Sequence, residues 1–203
     1  CGWLKQWFRV MPLDQAVAGL RHNTLPSRAL TITFDDGYAD NHDVAMPILQ
    51  RHGLSATFYI ATGFLNGGRM FNDTVIEAVR RSTLAEIDLA GLGLQCPELL
   101  SLADAGQRRA AVQALLTALK YRQLEERLQL VQAVAARAGG ELPDDLMMSS
   151  SQVCGLRDGG MTVGAHTVNH PILAVLDESA ARQQIEQSRA CLQDLLGERI
   201  AHF

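Results

Sequence analysis

The chain has 203 residues, 47% of them hydrophobic and 20% charged, with 17 glycines and 6 prolines; that is enough apolar mass for a buried core, and it excludes a disordered or fibrous chain. Lys+Arg 18 against Asp+Glu 22 leaves a formal net charge of −4, which excludes the long basic face that phosphate backbones attract, so nucleic acid is not an expected partner. No apolar run approaches the roughly 18 residues of a membrane span, and the N-terminal CGWLKQWFRV lacks the basic-then-apolar order of a signal peptide.

The four cysteines, Cys1, Cys96, Cys154 and Cys191, have no C-x-x-C spacing, which argues against a cysteine zinc knot and a dense disulfide framework and leaves the compartment open. Cys1 runs into an amphipathic Trp3-Leu4-Trp7-Phe8 pattern and not into a polar tether, which speaks against a lipidated start. The lack of an initiator Met suggests a chain cut from a longer one.

In chain order, Leu13 to about Arg21 reads as a short helix capped by Asp14. Ala29 to Phe34 reads as a strand with Leu30, Ile32 and Phe34 on one face, stopping at Asp35-Asp36-Gly37. A helix from about Asn41 to Arg51, kinked or restarted at Pro47 and ended by Gly53, leads to a second strand, Ala56–Ala61. Strand, helix and strand imply a right-handed βαβ unit with a parallel sheet.

From Asn72 to about Gly160 the periodicity turns helical; Ala111, Leu115, Leu119, Leu124, Leu128, Val131, Ala135 and Ala138 form the clearest apolar stripe. A helical insertion over 73–158 is expected, within one domain spanning 1–203. Met161–Ala165 reads as the third strand, and Ala181, Ile185, Ser188, Leu192 and Leu195 mark an amphipathic helix closed by Gly197. Arg199–Phe203 looks like the beginning of a fourth strand. No internal repeat or flexible linker interrupts the chain.

Two constellations bear chemistry. In Thr33-Phe34-Asp35-Asp36-Gly37 two adjacent carboxylates sit where a strand ends and the backbone turns, so both can face one cleft with different tasks; an Asx-turn or helix cap is an equal alternative. In Gly164-Ala165-His166-Thr167-Val168-Asn169-His170-Pro171 two imidazoles four apart are expected on one face of a helical turn, able to close on one divalent ion. Pro171 should push His170 out of the α region. His22, His42, His52 and His202 are assigned to capping or core roles. Both constellations follow strands at their C-terminal ends, the rim where α/β sheets keep their sites, so one carboxylate with two histidines makes a facial metal site and leaves the other carboxylate as a base. Phe64, Met70 and Phe71 either line a substrate groove or staple onto the helix starting near Asn72-Asp73.

Together TFDDG and HTVNH, with the flanks FDDGYADN, ATFYIATGF and GAHTVNHPIL, resemble the first two motifs of the polysaccharide deacetylase family, the nodulation-protein-B-like domain of carbohydrate esterase family 4. The resemblance runs from about Ala29 to the last residue and is weak across the helical insertion. It implies an α/β fold, a distorted and incomplete (β/α) barrel of parallel strands. It also implies metal-dependent hydrolysis of acetyl groups, most often N-acetyl, from a poly- or oligosaccharide. By that pattern Asp35 is the catalytic base and Asp36, His166 and His170 the metal ligands, with Thr167 in a small-hydroxyl position. The cofactor implied is a divalent metal ion, zinc first, with cobalt, manganese or nickel as alternatives; the partner is an acetylated glycan, in the bacterial cytoplasm or cell envelope.

The family's later motifs, including a Pro-Tyr loop and a late histidine acting as general acid, would lie beyond Phe203, and four candidate strands are too few to close a barrel. The expectation is therefore a deacetylase domain lacking its C-terminal strands, holding a metal site without full activity. Alternatives are a catalytically incomplete metal- or glycan-binding module, or a related hydrolase acting on a small cyclic amide.

Overall fold

In the computed structural model, which describes residues 1–203, helix α1 (Gly2–Trp7) and strand β1 (Arg9–Val10) precede the expected helix α2 (Leu13–Arg21). Pro12, not Asp14, stands at the N-cap position of α2, with no side chain capping it, and Asp14 sits in the first turn, where a carboxylate is favoured by the helix dipole. The run expected as one strand is divided: β2 (Ala29–Leu30) pairs in parallel with β1, and β3 (Thr33–Phe34) pairs in parallel with another partner. The alternation of Leu30, Ile32 and Phe34 is silent about this, because a change of partner at Thr31-Ile32 depends on which strand lies alongside. The next helical stretch opens as a π-turn (Asn41–Ala45) and continues as α3 (Met46–Arg51), with Pro47 in its first turn, where a missing N–H costs nothing. Gly53 follows at φ +62°, as a helix-ending glycine should. Strand β4 (Thr57–Ile60) comes next and is the partner of β3.

Two compact units share the chain, Cys1–Gly68 with Asp145–Phe203, and Arg69–Asp144. The second comprises α4 (Phe71–Arg81), an antiparallel hairpin of β5 (Glu86–Asp88) and β6 (Leu99–Ser101), α5 (Ala105–Leu119) and α6 (Leu124–Ala138). The hairpin contradicts the all-helical reading of this stretch. Its strands are three residues long, with Ile87 and Leu100 buried between exposed neighbours, too short for a period of two to show. Val75, Val79, Ile87, Leu102, Leu115, Leu119 and Val134 fill the core. Ala111, Val131 and Ala138 are buried as expected, whereas Leu128 is exposed and Arg127 takes a buried place. The inward face of α6 runs 127, 131, 134, 138, one residue round from the stripe that Leu124 and Leu128 suggest. The Arg127 guanidinium lies over the Phe71 ring at 4.4 Å and donates to the Lys120 carbonyl at 3.2 Å, and burial lowers its pKa.

The remainder of the first unit holds α7 (Ser150–Asp158), β7 (Thr162–Ala165) and α8 (Glu178–Leu196). Thus the expected insertion, 73–158, and the second unit, Arg69–Asp144, have different limits, since α7 belongs to the first unit. A reciprocal Ser149–Gln152 capping box starts α7, the Asp177 side chain caps α8, and Gly197 at φ +66° ends it. β3, β4 and β7 form one parallel sheet with β4 in the middle. Phe58 and Ile60 of β4 are fully buried in a core with Met148, Val153, Leu156, Ala165 and Leu192, and Phe34 stacks on Phe58 with centroids 4.8 Å apart. The 199–203 segment is not a strand: the Ala165 N–H donates to the His202 carbonyl at 2.9 Å and Ile200 is buried, but no ladder develops. No closed barrel forms.

In the second unit Glu77 is 7% exposed and accepts from Arg80 Nε and Nη2 at 2.8 and 2.5 Å and from Arg81 Nε at 2.8 Å. The Arg80 guanidinium, with Arg81 assisting, holds this carboxyl below the usual carboxylate range against the opposing effect of burial. A depressed carboxylate contributes stability above its unfolded pKa and loses it as pH falls through the folded value. Glu77→Gln should therefore cost about 1–2 kcal/mol in urea unfolding near neutral pH. The difference should shrink as pH drops below about 4.

Candidate functional site

The carboxyl ends of β4 and β7 lie level, and β3 ends two residues earlier along β4. Phe34 pairs with Phe58 across β3 and β4, and Ile60 with Ala165 across β4 and β7. Pairing continues past the strands: Ala61 N–H donates to the Asp36 carbonyl at 3.2 Å, and His166 N–H to the Ile60 carbonyl at 3.0 Å. Adjacent strands run about 4.8 Å apart, so Asp36 and His166 flank the central strand within reach of side chains that lean over it.

The aspartate loop reverses sharply. Asp36 has φ +75° and Gly37 φ +90°, with the Gly37 N–H donating to the Asp35 carbonyl at 2.9 Å. Aspartate tolerates the left-handed region better than most residues. A Cβ on Gly37 would lie 3.2 Å from Ile60 Cγ2, so glycine suits both the conformation and the space. The Gly37 carbonyl accepts from Met148 N–H at 2.9 Å, and Ala39 N–H donates to the Leu146 carbonyl at 2.8 Å, which ties the loop to the segment ahead of α7.

The histidine loop is not the helical turn that its spacing suggested. Thr167 and His170 both have positive φ, +66° and +48°. His170 leaves the right-handed helical region as Pro171 requires, but into the left-handed region. Buried Thr167 hydrogen-bonds the His166 carbonyl with its hydroxyl, which also accepts from His170 N–H at 3.0 Å. Thr62 and Gly63, in a short 3-10 turn after β4, donate backbone N–H groups to the carbonyls of Thr167 and Val168 at 3.2 and 2.9 Å. From α8, Gln184 Oε1 accepts from Val168 N–H at 3.0 Å and Asn169 N–H at 2.9 Å.

These loops bring Asp36, His166 and His170 together, with one ligand atom from each inside a 4.8 Å cluster. Asp36 Oδ1 stands 3.5 Å from His166 Nε2 and 3.3 Å from His170 Nε2. Donors around a tetrahedral ion with bonds of 2.0–2.2 Å are about 3.4 Å apart, so the three residues fit a divalent cation in donor type and in both carboxylate–imidazole separations. Side-chain exposures of 26%, 29% and 41% for Asp36, His166 and His170 keep the cluster open to solvent. Hydrogen bonding from His166, aided by the charge of both imidazoles, holds the Asp36 carboxyl below its ordinary range despite partial burial. His166 is raised in turn, by Asp36 first and also by the charge of Asp35. Burial and the Asp35 charge raise the Tyr59 phenol, whose ring centroid lies 6.3 Å from that of His166, so Asp35 acts electrically on two groups at this rim.

Of the possible groove residues, Met70 is buried and Phe71 is stacked under Arg127. Two supports of the histidine loop had no signal in the sequence: Gln184 is one polar residue on a polar helix face, and Gly63 is one glycine after a strand. A Cβ on Gly63 would lie 2.7 Å from the Val168 carbonyl oxygen, a backbone atom that cannot give way cheaply. Gly63→Ala should therefore destabilise the protein by about 1–3 kcal/mol in urea unfolding.

The polysaccharide deacetylase family model matches residues 22–203. Among solved structures, the chain is similar to the Streptococcus pyogenes deacetylase PplD in complex with acetate, at 17% identity and a TM-score of 0.53, covering 97% of this chain and 55% of that one. It is also similar to IcaB from Ammonifex degensii, at 15% identity and a TM-score of 0.53, covering 98% and 60%. The BpsB deacetylase domain from Bordetella bronchiseptica follows at 16% identity and a TM-score of 0.50, covering 98% and 64%. The chain thus spans 55–64% of the length of these structures, whose likeness is one of fold. No curated protein sequence matches. With the family model covering nearly the whole chain, across both the aspartate and the histidine loops, the chain belongs to the polysaccharide deacetylase family.

Proposed function

We propose that this chain carries the metal-binding half of a site that removes acetyl groups, most often N-acetyl, from a glycan. The observation that supports this reading is the convergence of Asp36, His166 and His170 at the carboxyl end of a parallel sheet, next to Asp35. On the same reading the sheet β3-β4-β7 is an arc of an incomplete (β/α) barrel, and the open rim receives the sugar.

Asp36, His166 and His170 would hold the divalent cation, zinc being the first choice for one carboxylate and two imidazoles. The chemistry supplied by a bound cation is Lewis acidity, which draws electron density from the acetyl carbonyl and makes water easier to deprotonate. Asp35 is exposed and lies next in sequence to a ligand, so its carboxylate is free to accept the proton of the attacking water. Thr167 keeps the two imidazoles in register through bonds at both ends of its loop. Tyr59, beside His166, borders the same rim.

Substitution separates the two aspartates. Asp36→Ala should lose bound metal, measured by elemental analysis of the purified protein, because two imidazoles alone leave a doubly charged ion underpaired. Asp35→Asn should retain the metal and the melting temperature while acetate release from an N-acetylated oligosaccharide falls by about 10²–10⁴, the usual worth of a general base. Metal lost from Asp35→Asn and kept by Asp36→Ala would reverse the roles. Full metal occupancy in Asp36→Ala, His166→Ala and His170→Ala alike would remove the site.

A further inference from the structure

We propose that Gln184 is a positioning residue for the metal-binding histidines, acting from α8 through the backbone of their loop. The inference rests on the metal-site reading above. His166 and His170 are separated by three residues whose backbone follows neither helix nor strand, so each N–H in the loop needs an individually supplied acceptor. The His166 N–H bonds the Ile60 carbonyl, and the His170 N–H bonds the Thr167 hydroxyl. Of the three amides between them, two consecutive ones, Val168 and Asn169, converge on one atom, Gln184 Oε1, at 3.0 and 2.9 Å. Two adjacent N–H groups pointing at a single acceptor form a small concave nest, and fixing both fixes the peptide plane between them.

Val168 is also held through its carbonyl, since Thr62 and Gly63 donate to the carbonyls of Thr167 and Val168. The Val168 backbone is thus clamped by its carbonyl to the end of β4 and by its amide to α8. Without Gln184, two half-buried amides would turn toward solvent or other acceptors, and the left-handed conformations at Thr167 and His170 would lose a constraint that keeps them populated. The imidazoles would then sample separations too wide for one ion. Gln184 Oε1 meets main-chain amides, so its effect on the imidazoles passes through the main chain.

The test uses the full chain and three variants. Gln184→Leu removes the acceptor; Gln184→Asn keeps the amide but withdraws it by one methylene; Gln184→Glu keeps an acceptor at the same reach. In the metal-free protein, amide hydrogen exchange at Val168 and Asn169 should accelerate in the Leu and Asn variants and stay near wild type in the Glu variant. Zinc affinity from competition with a chromophoric chelator should fall about 10–100-fold in Leu and Asn, the usual worth of groups that orient ligands, and recover in Glu. The Co(II) ligand-field spectrum should broaden or weaken in the same two variants. If Leu does not fold, Asn gives the same readings. Unchanged exchange, affinity and spectrum in a folded Leu or Asn variant would overturn the positioning role. If the wild type takes up no metal, the site reading fails, while the exchange measurement still decides whether Gln184 orders the loop.

Discussion

The hydrogen bonds at the carboxyl end of β4 are the constraint on which the site depends. On one side Ala61 N–H reaches the Asp36 carbonyl, and on the other the Ile60 carbonyl receives His166 N–H. A central strand therefore fixes, through its own backbone, the height and spacing of two loops far apart in sequence. Its depth comes from packing: Phe58 and Ile60 are completely buried, Phe34 stacks on one of them, and the core is completed by α7 and by Leu192 of α8. Moving β4 by one residue would turn these side chains to the other face of the sheet and separate the loops it joins.

Backbone strain clusters in the two loops at these strand ends, where three non-glycine residues, Asp36, Thr167 and His170, have left-handed conformations. Such conformations cost about 1–3 kcal/mol each and persist only where the surroundings over-determine them. Thr167 helps to do so with its own hydroxyl, Gly37 accepts the close approach of Ile60, and Gly63 lets the turn after β4 come against Val168. The histidine loop is anchored from β4, from its own threonine and from α8. These ties bring two imidazole donors and one carboxylate donor within 4.8 Å of one another.

The Arg69–Asp144 unit has its own apolar core and its own polar economy. Arg127 stands inside with its guanidinium over an aromatic face and one N–H on a carbonyl while its Nε has no partner, and Glu77 is held because two arginines donate to its carboxylate. Both show how a charged residue on a buried helix face is made compatible with burial by partners one or two turns away or on a neighbouring element.

The sequence by itself marked the residues to which the proposed chemistry is assigned. Asp35-Asp36-Gly37 follows Leu30-Thr31-Ile32-Thr33-Phe34 and His166-x-x-x-His170 follows Met161-Thr162-Val163-Gly164-Ala165, and a short apolar run ended by turn residues marks a strand end from local information alone. It also marked the helices that become α3 and α8 and the terminating glycines Gly53 and Gly197, because breakers act within a few residues. Tertiary structure alone decided what depends on a partner. It split Ala29–Phe34 between two sheets and made a hairpin of Glu86–Ser101 inside a helical stretch. It buried Arg127 while exposing Leu128, and it unwound the histidine turn under ties from Thr62, Gly63 and Gln184. A spacing of four between histidines suits a helical turn and a strained loop equally well. The loop is chosen by the Thr167 hydroxyl together with donors from the turn after β4 and an acceptor from α8, and no local window contains these last two.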